Sequence, residues 1–230
     1  MQSKRISIIT IIGAILALFM QFLPLVISAD WTWVQGWVMG SITIFFALLS
    51  RILAARRNPD LLAERAHYDQ AEGAKSWDLV LVKFVGLYLP LSGYVVLGLD
   101  KRFGWSPPFS TWVVMTGLFV LVLGLLLATW AFVENRFFST VVRIQKDRGH
   151  VVCATGPYHY IRHPGYAGGM LTWLGVPFFM GSQWALIPFG LTCLLIIVRT
   201  RLEDRTLMEE LPGYREFAAK TRYRLLPGIW

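Results

Sequence analysis

Charged residues are scarce in this 230-residue chain. Asp, Glu, Lys and Arg make up 16% of it, where a soluble domain carries about a quarter. That shortage argues against an ordinary soluble globule and points to lipid as the solvent. Cysteine is scarce too. Cys153 lies in a basic stretch and Cys193 in an apolar run, which argues against a structural disulfide. Of the four histidines, His150, His159 and His163 stand near Cys153 and invite a metal reading. His159 and His163 would need a shared helical face, and Pro164 breaks any helix through them. A membrane di-iron centre also needs many more histidines, so no metal is expected. No internal repeat, low-complexity stretch or dividing linker is visible.

What the chain does have is apolar sequence, 55% of its residues, with a mean hydropathy of +0.52. A helix crossing the hydrocarbon core needs about 20 mostly apolar residues. Ile6 to Ile27, Trp33 to Leu53, Trp77 to Leu99 and Trp112 to Val133 qualify. Tyr166 to Met180 and Trp184 to Val198 are shorter and flank Gly181-Ser182-Gln183, so they read as a tight helical hairpin. The first run follows Lys4 and Arg5 but is longer than a signal-peptide core, and is read as a retained helix. The expected fold is therefore an all-α integral membrane protein of about six hydrophobic helices, with a C-terminal interfacial helix.

The net charge of +8 would raise nucleic acid as a partner for a soluble protein. Beside these apolar runs, anionic lipid headgroups are the simpler partner, and no nucleic acid is expected. Lys and Arg cluster before the first run and after the second, fourth and last, while only Lys101 and Arg102 fall in the opposite loops. The positive-inside bias then predicts a multi-pass protein with both termini cytoplasmic. Trp31, Trp33, Trp105 and Trp112 are expected at the other interface. Asp78, Lys83 and Glu134 fall near span ends and are expected to snorkel to the cytoplasmic interface. Gly36 and Gly40 form a GxxxG packing pair.

Two polar constellations carry the chemistry. The first runs from Asn135 to Gly169, too long and polar for a minimal connector. Gly156-Pro157 marks a turn, and Pro164 can open the next helix with His163 at its N-cap. A helix start suits an anionic ligand group. Gly165, Gly168 and Gly169 would let a ligand or another helix approach the backbone closely. The second constellation is Arg199, Arg201, Glu203, Asp204, Arg205, Glu209 and Glu210. It reads either as a helix end laced with surface ion pairs or as a site at the membrane surface. In the second case Glu203 accepts from a ribose diol or an ammonium, and Arg199 pairs with a carboxylate. A hairpin between the two constellations returns the chain to one side and brings them near each other.

Taken together, Gly156-Pro157-Tyr158, Arg162-His163-Pro164-x-Tyr166-x-Gly168, Arg199-x-Arg201-x-Glu203-Asp204-x-x-Leu207, Gly213-Tyr214 and Leu226-Pro227-Gly228 resemble the isoprenylcysteine carboxyl methyltransferase family and the related phospholipid methyltransferases. The resemblance covers about residues 130–230. It implies S-adenosylmethionine as cofactor, held in a cytoplasmic loop by Tyr158, His163, Pro164, Gly165, Tyr166 and Glu203. His150, Val151, Val152 and Cys153 would contribute mostly backbone. Gln145 is a further contact, although its spacing to His150 is two residues shorter than in the eukaryotic pattern. Arg199 would orient the substrate as the catalytic residue. Asp204 departs from the pattern, where many relatives have Glu, and is read as a helix-surface charge.

The same resemblance divides the chain into N-terminal transmembrane helices, 1–133, and a methyltransferase core, 134–230. It implies a lipophilic or lipidated acceptor entering from the bilayer. A carboxylate acceptor needs no general base, which matches a site with no Ser/His/Asp or Cys/His machinery. Phospholipid N-methylation, an NADPH-dependent sterol-type reductase and a non-enzymatic scaffold or small transporter remain alternatives. Nothing in the pattern speaks to oligomeric state.

Overall fold

The computed structural model describes residues 19–66 and 73–230, and every regular element among them is helical. Residues 6–18 of the first expected span lie outside the described residues. What is described there is a 3-10 turn, Met20–Phe22, and a short helix α1, Leu23–Ser28. The next helices are α2 (Val34–Arg57), α3 (Pro59–Ala66), α4 (Ser76–Phe103, with a π turn at Phe84–Tyr88) and α5 (Thr111–Glu134). Then follow α6 (Pro164–Met180), α7 (Leu186–Glu210) and α8 (Tyr214–Lys220). Helices α2, α4 and α5 are long and apolar enough to cross a membrane.

The short apolar hairpin is present as α6 and α7, but α7 is longer than expected. It runs unbroken for 25 residues from the apolar stretch into the charged one. Arg199 through Glu210 therefore continue the last hydrophobic helix. The separate C-terminal helix is α8. Gly181, at φ 73°, closes α6 in the left-handed region that a side chain disfavours. The hairpin turn is pinned to α4: Ser182 donates to Asp100, which also accepts from the Ser106 amide at 2.7 Å.

Helices α5 and α6 meet along a seam of glycine. A Cβ at Gly168 would stand 2.5 Å from the Ala128 backbone nitrogen, and one at Gly124 as close to the Thr172 nitrogen. Gly117 and Gly175 repeat the arrangement one heptad further along. Without side chains at these four positions the two backbones touch, which is how apolar helices associate where lipid offers no hydrophobic drive. Of the three glycines expected near the start of α6, Gly168 meets a helix, Gly165 meets the Phe138 ring and Gly169 meets nothing within 4 Å. Gly36 and Gly40 also pack, but against the side chains of Leu25 and Phe22.

Some expectations about span ends need correcting. Asp78 does not snorkel: it is fully buried. Trp33 is 5% exposed and packs inside, beneath the Lys101 ammonium. Trp31, Trp105 and Trp112 are exposed, as belt residues would be.

Candidate functional site

The 135–163 loop lacks regular structure beyond two 3-10 turns, Lys146–Arg148 and Gly156–His159. Its backbone groups must therefore find partners elsewhere. Asp78 supplies one: its Oδ2 accepts from the Val142 amide at 2.7 Å. Gln145, fully buried, donates to the Phe137 carbonyl at 2.8 Å and accepts from Arg148. Asn58 on the α2–α3 junction reaches the Val133 carbonyl at 2.9 Å. The loop is thus clamped from α4 and its own interior, while Asn58 holds the end of α5 from which the loop leaves.

His163 is the N-cap of α6 and Pro164 its first residue, as the sequence implied. The His163 ring makes no capping bond. It lies 3.2 Å from Asp204 and 3.4 Å from the Tyr214 hydroxyl. Its amide donates to the Arg224 carbonyl and that of Arg162 to Tyr223, so the C-terminal tail runs beside the start of α6.

Asp204 is the hub here, and it is not a surface charge. It is 1% exposed and accepts from Arg162 at 2.8 and 3.0 Å, Tyr214 at 2.9 Å and Arg224 at 2.7 Å. Burial alone would raise its pKa. The hydrogen bonds from His163, Arg162 and Arg224 outweigh that and hold the carboxyl well below its usual range. Arg162 also donates to the carbonyls of Thr221 and Arg222, both at 3.0 Å, just past the end of α8. One buried acid therefore ties the loop, α6, α7, α8 and the tail together.

These elements enclose a cavity of about 290 Å³. His150, Val151, Val152, Cys153, Tyr158, His163, Gly165, Tyr166, Arg199 and Glu203 all line it. Ten of the twelve residues singled out from sequence therefore meet in one space, although they lie on a loop and two helices. Gln145 and Pro164 do not line it; each supports the wall from behind.

The charges in the lining differ in how they are balanced. Arg199 donates through Nε and Nη2 to Asp78, at 2.6 and 2.9 Å, and through Nη2 to the Thr140 carbonyl. The two-bond edge of its guanidinium is thus occupied, and its face lies over the Tyr166 ring at 5.4 Å. Arg199 and Glu203 do not pair, despite their i, i+4 spacing. Arg143 pairs with Glu64 and Asp147, and Arg162 with Asp204. Among the described residues, Glu203 is the one carboxylate in the lining. It accepts from the Tyr166 hydroxyl, and among the described residues no cation pairs with it. Burial, with Arg143 and Arg148 nearby, lowers the His150 pKa from 6.5 to about 4, so the ring is neutral where it stacks on Phe137 at 4.6 Å. Burial raises the pKa of the Tyr158 hydroxyl and of the Cys153 thiol, which favours the protonated form of both at neutral pH.

Several residues play parts that their places in the sequence do not announce. Asp78 was legible as an acid inside an apolar run, which by default needs a cation. Arg65, on α3, also lines the cavity, with Val82 and Gly86 from α4 and Tyr214 and Phe217 from α8. Arg65 is too far from either constellation for spacing to reveal it.

Comparison with known proteins gives the same picture over the C-terminal half. The family model "Phospholipid methyltransferase" matches residues 112–213, from the start of α5 to the start of α8. Protein-S-isoprenylcysteine O-methyltransferase of Homo sapiens is 29% identical over 122 residues, 53% of this chain and 41% of that protein. The same enzyme of Mus musculus is 29% identical over the same extent. The match thus covers less than half of each relative. Asp204, His163, Glu203 and the glycine seam all lie within the matched segment, so the site and the seam both fall where the chain is similar to the phospholipid methyltransferase family.

Proposed function

We propose that the protein transfers a methyl group from S-adenosylmethionine to a lipophilic carboxylate at the cytoplasmic face of a membrane. The observation that carries this reading is Glu203, a carboxylate facing the cavity with a tyrosine to orient it and no cation to neutralise it among the described residues. A ribose diol or an α-ammonium would satisfy it, as a charge-assisted acceptor. Tyr158, His163, Gly165 and Tyr166 would surround the cofactor, with backbone from His150 to Cys153. Pro164 and Gln145 would act from behind, by setting the helix start and the loop.

The cofactor would supply an activated methyl on a sulfonium. The protein's task is then alignment and exclusion of water. Asp204 and its partners fix the part of the wall formed by Arg162, His163 and Tyr214. A carboxylate acceptor is ionised at neutral pH and needs no base. An amine acceptor would have to lose a proton, and the two candidate bases are engaged, His163 with Asp204 and Glu203 with Tyr166. That favours the carboxylate. Val82 and Gly86 bring the cavity to the side of α4, so an apolar tail can lie along that helix while its acid reaches the lining. Arg199 would act by position, holding Tyr166 beneath it and Asp78 of α4 against the loop.

Calorimetry on the detergent-purified protein tests the reading. S-adenosylmethionine should bind and NADPH should not. Labelled methyl should then pass to N-acetyl-S-farnesylcysteine and not to phosphatidylethanolamine. The reverse acceptor preference would replace carboxyl with amine methylation, and NADPH binding alone would leave a reductase.

A further inference from the structure

The charge balance of the cavity assigns a second ligand group. Among the described residues four arginines line it, and three are matched by acids: Arg143 by Glu64 and Asp147, Arg162 by Asp204, Arg199 by Asp78. Arg65 is different. Its Nη1 donates to the Phe138 carbonyl at 3.1 Å, and among the described residues no carboxylate pairs with it. Its guanidinium lies 5.2 Å from the Phe132 ring centre and 5.7 Å from that of Phe138. Phe138 in turn fills the space left open by Gly165 at the start of α6. Two aromatic rings and a carbonyl therefore hold a cation at the cavity wall without cancelling its charge. Burial and the Arg51 charge lower its pKa to about 10, which leaves it protonated at neutral pH.

Resting on the function proposed above, we propose that Arg65 is the anion-binding residue of the acceptor site, receiving the acceptor carboxylate on its free edge. Arg199 is poorly suited to that task, because Asp78 occupies its two-bond edge. Arg65 lines the same cavity as Tyr166 and Glu203, beside the Phe138 ring that packs on Gly165 at the start of α6. The lining then carries two unmatched charges, an anion for the cofactor and a cation for the acceptor. A guanidinium can grip a carboxylate with two parallel bonds, and the methyl ester formed by the reaction has no charge to hold. Product release would follow from the same residue that binds substrate.

The test is the affinity ratio of an acid to its ester. N-acetyl-S-farnesylcysteine and its methyl ester would be titrated into the protein with S-adenosylhomocysteine present. The wild type should prefer the acid by roughly ten- to a hundredfold. Arg65→Gln should bind the acid no better than the ester, with ester and S-adenosylmethionine affinities unchanged. A purely structural arginine would lower both affinities and keep their ratio, which overturns the assignment. Should Arg65→Gln fail to fold, Arg65→Lys carries the test: the ratio must fall severalfold, and an unchanged ratio again overturns it. A wild type that shows the Arg65-dependent preference but neither binds S-adenosylmethionine nor transfers methyl would sink the methyltransferase reading and leave the anion site standing.

Discussion

Glu203 and Asp204 are neighbours in sequence and opposites in surroundings. One step along α7 turns the side chain by about 100°. Asp204 turns inward to Arg162, Arg224, Tyr214 and His163 and has almost no exposed surface. Glu203 turns to the cavity, where Tyr166 is its one described hydrogen-bond donor. A buried anion with every lone pair engaged fixes geometry, and its loss leaves cations stranded. An anion left short of partners is poised for a ligand. The same chemical group thus serves architecture on one side of the helix and binding on the other.

The largest effect should come from the architectural side. Asp204→Asn leaves Arg162 buried without its counter-charge, which costs about 3–5 kcal/mol. In a chain of this size that is a fall in melting midpoint on the order of 10 °C. Thermal melts in detergent measure it. Because five segments meet at Asp204, cofactor binding should fall as a consequence of unfolding and recover in part on cooling. A melt like the wild type would show that the network is ornamental and would erase the contrast with Glu203.

Glu203→Gln should behave in the opposite way. The amide keeps the shape and can still meet the Tyr166 hydroxyl, so the melting midpoint should move by no more than about 2 °C. Losing a charge-assisted acceptor should weaken S-adenosylmethionine roughly ten- to a hundredfold. Calorimetry at a temperature well below the melt keeps the two effects apart. Wild-type affinity in this variant would return Glu203 to the role of a helix-end charge.

That contrast was not legible in the sequence, where Glu203-Asp204 reads as a pair. Local signals did well where the cause is local. The apolar runs mark α2, α4 and α5, and Pro164 after His163 fixes the start of α6. The ends of α7 were less legible, because a helix leaving the apolar layer need not break when its sequence turns polar. Contacts between distant residues were hidden for a different reason. Asp78 and Arg199 are 121 positions apart, and only the packing of α4 on α7 brings them together. Hydropathy made Asp78 look like an end-of-span charge, since its partner lay on another helix. The glycine seam was partly legible. Gly117 and Gly124 repeat at the same interval as Gly168 and Gly175, and two small-residue stripes of equal period on two apolar runs are a packing signal. Attention to GxxxG alone picked out Gly36 and Gly40 instead, which meet side chains rather than a helix backbone.

The smallest effect sharpens the comparison most. Tyr166 donates its hydroxyl to Glu203, while its ring stacks near His163, with centroids 5.8 Å apart, and carries the Arg199 guanidinium above it. Tyr166→Phe removes the donor and keeps the ring. If Glu203 is a ligand-binding acid, the hydroxyl's role is to aim it. Water in the cavity can replace much of that bond, so the loss should be about 0.5–1.5 kcal/mol, or roughly two- to tenfold in S-adenosylmethionine affinity. Stability should hardly change, because a partly exposed carboxylate that loses one donor is not a stranded buried charge. Tyr214→Phe is the matched control. It removes the equivalent donor from Asp204, whose other partners remain, and it should cost stability without a separate effect on affinity. Measured side by side, the two hydroxyls should divide as the two acids do. If Tyr166→Phe melts early and Tyr214→Phe loses cofactor at full stability, the assignments of the two faces of α7 must be exchanged.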